Sequence, residues 1–189
     1  MSSEISPGTV RNGVALGVIL MGLVVLVSNI AVGYPINDWL TWGAFTYPLA
    51  FLVTDLINRV FGVRHARRVV YAGFVVGVVL SVFYADVRIG LASGSAFLVA
   101  QLLDVTIFDR LRRQSWWKAP LISSLLGSAV DTALFFSLAF AGTQVPWVTL
   151  GIGDYGAKLF MAAALLVPFR VFIAMLPAHL AQTSETSSA

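Results

Sequence analysis

The 189-residue chain contains no cysteine. That absence excludes disulfides, thiolate metal centres and cysteine nucleophiles. Histidine is nearly missing as well. His65 and His179, its two copies, fall in a connecting stretch and in the polar tail, which argues against a histidine-based metal site or a catalytic triad. No Walker-type glycine-rich run ending in Gly-Lys-Ser/Thr is found, so the chain carries no recognisable ATP site of its own. Charge is scarce too: 11% of residues are charged and 58% are hydrophobic, giving a mean hydropathy of +0.87. A soluble domain carries about a quarter charged residues. So few charges could not cover a water-exposed surface, and the composition therefore points to an integral membrane protein.

What is present is a series of long apolar runs. A spanning helix needs roughly 20 mainly apolar residues. Six segments meet that length: Val14–Gly33, Trp42–Phe61, Val69–Val87, Ile89–Phe108, Leu121–Gly142 and Tyr155–Leu176. The expected fold is all-α and polytopic, with six transmembrane helices, a short N-terminal segment over residues 1–12, a membrane domain over 13–178 and a polar tail over 179–189. The connections are too short to hold a soluble domain. The first apolar run is too long for a signal-peptide core and has no small-residue cleavage pattern after it. Asp86 and Arg88 mark a very tight turn between the third and fourth spans. Pro48 and Pro168 fall inside spans, where each removes a backbone donor and can kink its helix.

Basic residues set the orientation. Arg11 precedes the first span, Arg64, Arg67 and Arg68 join the second to the third, and Arg110, Arg112, Arg113 and Lys118 join the fourth to the fifth. The opposite connections contain Arg88 alone. Counting positive charge then puts both termini in the cytoplasm. It also accounts for the net charge of +3 without nucleic acid. Trp39, Trp42 and Trp147 fall at one boundary and Trp116 and Trp117 at the other, as in an aromatic belt; Tyr34, Tyr84 and Tyr155 also lie at the outer ends.

Polar side chains within the apolar runs are the candidate functional groups, because an ionisable group in a span needs a partner or a wet cavity. They are Asn29, Thr54, Asp55, Asn58, Gln101, Asp104, Asp131 and Lys158. Asp55 and Asn58 share a helix face, as do Gln101 and Asp104, and Ser124, Ser128 and Asp131 form a third polar stripe. Leu52–Asn58 and Leu98–Asp104 echo each other weakly, with Asp55 opposite Gln101. At about 1.5 Å per residue, Asp131 lies near the bilayer midplane, Asp55 and Gln101 within one turn on the cytoplasmic side, and Asn29 and Lys158 in the outer half. Transporters place substrate at this depth. Carboxylates accept paired N–H donors and amides offer both donors and acceptors, so the set suits a planar, donor-rich heterocycle with Phe45, Tyr47 or Phe135 stacked on its ring. The alternatives are structural: Asp104 as a cap or ion pair near the arginines, Asp131 paired with Lys158, and Asn29 in an interhelical hydrogen bond. Gly73-x-x-x-Gly77 and Ala92-x-x-x-Ala96-x-x-x-Ala100 read as packing stripes, which permit a homodimer without demanding one. Arg170 reads as snorkelling to the inner interface.

In order along the chain stand Ser28-Asn29, Tyr47-Pro48-Leu49-x-Phe51-Leu52-x-Thr54-Asp55-Leu56-Ile57-Asn58, Phe61-Gly62, Ala66-Arg67-Arg68, Gln101-Leu102-Leu103-Asp104, Ser123-Ser124, Asp131-Thr132, Lys158 and Pro168. This ordered set resembles the VUT family of queuosine precursor transporters over most of the chain. The resemblance implies import of 7-cyano-7-deazaguanine and 7-aminomethyl-7-deazaguanine across a bacterial inner membrane, with no enzymatic activity and no cofactor, and with a small deazaguanine base and the lipid bilayer as partners. It also implies a layout similar to the substrate-binding subunits of energy-coupling-factor vitamin transporters, and points to Asp55, Asn58, Gln101, Asp104, Asp131 and Lys158. Two features depart from the family pattern. The connection between the third and fourth spans is very short, and Arg59 follows Asn58 where an acidic residue is expected. The alternative functions are a vitamin-type binding subunit that needs an energising partner, an intramembrane aspartyl enzyme, and an assembly factor without a ligand.

Overall fold

The computed structural model describes residues 6–84 and 86–176, apart from the side chains of Val82 and Tyr84. The first five residues, residues 177–189 (His179 and the tail over 179–189 among them) and the placement of the Tyr84 ring lie outside the described residues. Eight helices follow in order: α1 (Pro7–Ala31), α2 (Gly43–Thr46), α3 (Leu49–Phe61), α4 (Val63–Tyr84), α5 (Val87–Leu111), α6 (Lys118–Phe140), α7 (Trp147–Ala164) and α8 (Leu166–Met175). Four helical stretches are long and apolar enough to cross a membrane: Pro7–Ala31, Val87–Leu111, Lys118–Phe140 and Trp147–Met175.

The helix ends differ from the hydropathy boundaries for local reasons. α1 begins at Pro7, well before the apolar run, because the Ser6 hydroxyl accepts from the Thr9 N–H and Pro7 occupies the first helical position. The expected second span is broken. α2 stops at Thr46 and α3 starts at Leu49, around Pro48, which has no N–H to continue the ladder. The expected sixth span starts earlier, at Trp147, and is interrupted at Leu165, one turn before Pro168. Arg64, Arg67 and Arg68 are in the first turns of α4 rather than in a connection. Only Gly62 separates α3 from α4, at φ 84 and ψ 171, a backbone region that favours glycine. The tight turn before α5 is as expected, with the Asp86 carboxylate accepting from the Ile89 N–H. Arg88 reaches the far end of α6, donating to the carbonyls of Leu138 and Ala141 that close that helix.

The distribution of polarity is inverted relative to a water-soluble protein. Asn29, Thr54, Asp55, Asn58, Gln101, Asp104, Asp131, Asp154 and Lys158 are all buried, while Leu16, Ile19, Leu23, Phe83, Phe160 and Val167 are exposed. An apolar exterior around a polar interior is what a bilayer solvent requires. With the four long apolar helices, it makes this a helical membrane protein.

Close helix approach is provided by small residues. A Cβ at Gly73 would collide with Met21, and one at Gly77 would lie 2.8 Å from Val25, so α4 lies tightly on α1. Ala92, Ala96 and Ala100 are buried within the helix bundle. Both small-residue stripes are therefore packed inside the chain. The connection over 32–42 folds back as a short loop, held by Asn37, whose side-chain oxygen accepts from the N–H groups of Trp39 and Leu40. Its Trp39 carbonyl rests on Gly153 of α7 with no space for a Cβ. Gly153→Ala should force this loop off α7 and lower stability by about 1–3 kcal/mol, measured as a lower melting temperature in detergent. Gly156→Ala, where a Cβ meets nothing, should not lower the melting temperature and should raise it slightly, since alanine favours the helix over glycine.

Candidate functional site

Two buried polar groups occupy the bundle. The first centres on Lys158 of α7. Its Nζ lies 2.8 Å from Asp131 Oδ2 of α6 and 2.6 Å from Asp154 Oδ2, one turn earlier on its own helix. It also donates to Thr132 Oγ1 at 3.1 Å, and Thr132 in turn donates to Asp154 Oδ2 at 2.7 Å. The ammonium stands 5.0 Å from the centre of the Tyr47 ring, a cation–π contact. The break at Pro48 places Tyr47 here, at the end of α2, with its edge against Phe97. One ammonium facing two carboxylates leaves the group with a formal charge of −1.

Beside this trio runs a narrow crevice lined by Ser28, Asn29, Gly43, Tyr47, Ser93, Asp131, Phe135, Asp154 and Lys158, among others. Its walls hold polar atoms that are buried without a hydrogen-bond partner in the chain: Ser28 Oγ, Tyr47 OH, Ser93 Oγ and Asp131 Oδ1. Such atoms are costly to leave unmade. Here four of them converge on one space, offering hydroxyl donors and a carboxylate acceptor beside the Phe135 ring. Asn29 is on the same wall, although its amide nitrogen already donates to Ser81 Oγ of α4 at 2.7 Å.

The second group joins α3 to α5. Thr54 donates to Gln101 Oε1 at 2.7 Å, and Asn58 Nδ2 donates to the Val105 carbonyl at 3.1 Å. Between these two ties Asp55 faces Asp104, with Ser124 of α6 beside the first and Ser123 beside the second. Gly127 makes room for the pair. A Cβ there would meet Phe51 at 2.8 Å and the Asp104 Cβ at 3.3 Å. Below it, Arg59 and Arg112 each donate to the other's carbonyl, which fastens the ends of α3 and α5 together.

The eight residues singled out in the sequence are thus all buried but do not form one cluster. Asn29, Asp131 and Lys158 line the crevice, and Thr54, Asp55, Asn58, Gln101 and Asp104 form the second group. A further small cavity connects them. Its walls include Asp55, Ser124, Ser128 and Lys158, with Phe51 and Phe169 closing it. Of the proposed stacking residues, Tyr47 and Phe135 line the crevice. Sequence reasoning missed Asp154, because the sixth span was begun one residue after it. The signal was an i, i+4 spacing to Lys158, which aligns opposite charges on one helix face. Ser93 carried no signal: a serine in a small-residue helix reads as packing. Arg170 stacks over the Trp116 ring at 5.1 Å.

Comparison with known proteins extends this geometry. The family described as "Putative vitamin uptake transporter" matches residues 41–85 and 79–173. The chain is 39% identical over 154 residues to a Haemophilus influenzae protein named "Probable queuosine precursor transporter", an alignment covering 68% of this chain and 66% of that one. It is 34% identical to the Escherichia coli "Queuosine precursor transporter", over 88% of this chain and 89% of the relative. A Bacillus subtilis protein named "Probable queuosine precursor transporter" is 26% identical over 68% of this chain and 69% of its own length. No solved structure matches.

Proposed function

The chain belongs to the family of queuosine precursor transporters, and on that premise we propose that it imports 7-cyano-7-deazaguanine and 7-aminomethyl-7-deazaguanine across a bacterial inner membrane. In this reading it is a multi-pass transporter with six spans, formed by α1, the broken pair α2–α3, α4, α5, α6 and the broken pair α7–α8, with both termini cytoplasmic. It acts without a cofactor and without chemistry on the base.

The observation that carries the substrate reading is the crevice beside Lys158, with its unpartnered Ser28, Tyr47, Ser93 and Asp131 atoms. A deazaguanine presents a ring N–H next to an exocyclic amino group, a pair that one carboxylate can accept. Asp131 Oδ1 is the free acceptor for that edge. Its Oδ2 is held by Lys158, so the carboxylate stays oriented. The Ser28, Ser93 and Tyr47 hydroxyls complete the remaining edge, Phe135 offers a ring face, and the net negative charge of the Lys158 trio suits an aminomethyl arm. Asn29, already tied to Ser81, fixes the wall between α1 and α4. Thr54, Asp55, Asn58, Gln101 and Asp104 sit beyond the crevice and serve the conformational cycle rather than the base itself.

The test is uptake of the two labelled bases into bacteria that lack both their synthesis and their own importer, at matched membrane expression. Wild type should accumulate label. Phe135→Ala should weaken uptake about tenfold, since loss of one base–aromatic stack costs about 1–3 kcal/mol. Absence of uptake by well-expressed wild type would sink the substrate assignment. Uptake that appears only when an energising ATPase is supplied would favour the vitamin-type binding subunit.

A further inference from the structure

The Lys158 trio supplies its own counter-charge, but the carboxyl pair of Asp55 and Asp104 does not. Asp104 is fully buried, and among the described residues neither of its oxygens is held by a basic group or a backbone N–H. Asp55 Oδ1 and Asn58 Oδ1 beside it are equally without one. Among the described residues no basic group lies in ion-pair contact with either carboxyl. The charged and titratable groups on the surrounding elements are all engaged elsewhere. Lys158 shares a cavity with Asp55 but is held by Asp131 and Asp154. On α3 and α5, Arg59 and Arg112 bind each other's carbonyls, and Arg112 also reaches Asp109. Tyr47 faces Lys158, and Arg170 of α8 stacks on Trp116.

Two neighbouring buried carboxyl groups repel each other if both are ionised. One proton between them turns the repulsion into a short acid–carboxylate hydrogen bond. Among the described residues no group of three or more histidine, cysteine or acidic side chains could hold a metal ion there. From this geometry we propose that Asp55 and Asp104 together bind one transported proton, and that its uptake and release drive movement of the base. The inference rests on the transporter reading above and names its energy source.

The structure also supplies the means of coupling. Asp55, Ser124, Ser128 and Lys158 line one cavity, so the carboxyl pair communicates with the substrate trio along the polar stripe of α6. Thr54–Gln101 and Asn58–Val105 clamp α3 to α5 on either side of the pair. Losing the shared proton leaves two like charges pushing on that clamp. The helix contact between α3 and α5 is therefore the element whose equilibrium the proton biases.

Two measurements test this, and the first needs no substrate. Infrared absorption of the purified protein in lipid should contain a protonated-carboxyl band that titrates with pH. Asp55→Asn and Asp104→Asn should each remove it, whereas Asp131→Asn should retain it. A folded wild type without such a band overturns the proposal. The second uses proteoliposomes loaded by an imposed proton gradient. One pH unit, acid outside, should support up to about tenfold accumulation of 7-aminomethyl-7-deazaguanine for one proton per base. Asp104→Asn should abolish accumulation. Wild type that equilibrates the base but ignores the proton gradient, or that accumulates it on a sodium gradient instead, overturns proton coupling while leaving the transporter reading intact. Wild type that moves no base at all overturns the transporter reading, and the infrared band still decides whether the pair holds a proton.

Discussion

Lys158→Met should leave the protein barely foldable, with a destabilisation of about 3–5 kcal/mol, the usual cost of removing one partner from a buried ionic group. The exposure values explain why the cost is so large. The side chains of Lys158 and Asp131 are 3% exposed and that of Asp154 is 6% exposed, so water can replace the lost ammonium only in small part. Two carboxylates would then face each other across α6 and α7. Melting in detergent, followed by the loss of the monodisperse peak on heating, is the measurement. The triple variant Lys158→Met with Asp131→Asn and Asp154→Asn should recover most of the lost stability, because nothing charged remains to be compensated. The three effects should thus be far from additive. Equal melting of the single and triple variants would mean that the ammonium is not what holds α6 to α7.

Asp131→Asn should give the complementary result, a folded protein that no longer takes up the base. Lys158 keeps Asp154 at 2.6 Å in this variant, and the amide can still accept from the ammonium. What changes is the free oxygen facing the crevice. A hydrogen bond to a charged group contributes about 1.5–3 kcal/mol, so affinity for a deazaguanine should fall roughly 10- to 100-fold. The check is binding of the labelled base to purified protein, with melting measured in parallel. A variant that melts like wild type and binds equally well would place the base elsewhere. Aminomethyl and cyano substrates should also separate here. Removing one negative charge from the trio should penalise the cationic aminomethyl base more than the neutral cyano base.

Most of the buried polar residues were visible in the sequence, for one physical reason. A bilayer makes every buried polar group expensive, so Asp55, Gln101, Asp104, Asp131 and Lys158 stand out against their apolar neighbours. All of them are buried. The lipid-facing residues follow from the same asymmetry. What hydropathy does not encode is where a helix ends. The break at Pro48 was visible only as a kink, and its consequence, a Tyr47 ring turned against Lys158, depends on packing between α2 and α7. The start of α7 at Trp147 was misplaced because Thr149, Gly151, Gly153 and Asp154 dilute the apolar run. That dilution hid Asp154, the second carboxylate on Lys158. Nor does spacing along one helix reveal which faces meet. The division into a Lys158 group and an Asp104 group is a matter of tertiary packing.

The pairing of Asp154 with Lys158 within one helix also bears on how the chain is made. Opposite charges four residues apart on α7 neutralise each other as soon as that helix forms, before any neighbour is present. α6 has no such internal relief. Its Asp131 depends on an ammonium that lies 27 residues downstream. During synthesis α6 therefore leaves the ribosome with a carboxyl group that lipid solvates poorly, and it gains its counter-charge once α7 arrives. The two helices should therefore settle in the membrane as a dependent pair, and a nascent chain halted between them would hold its sixth helix in the bilayer at a cost of a few kcal/mol that the arrival of α7 removes.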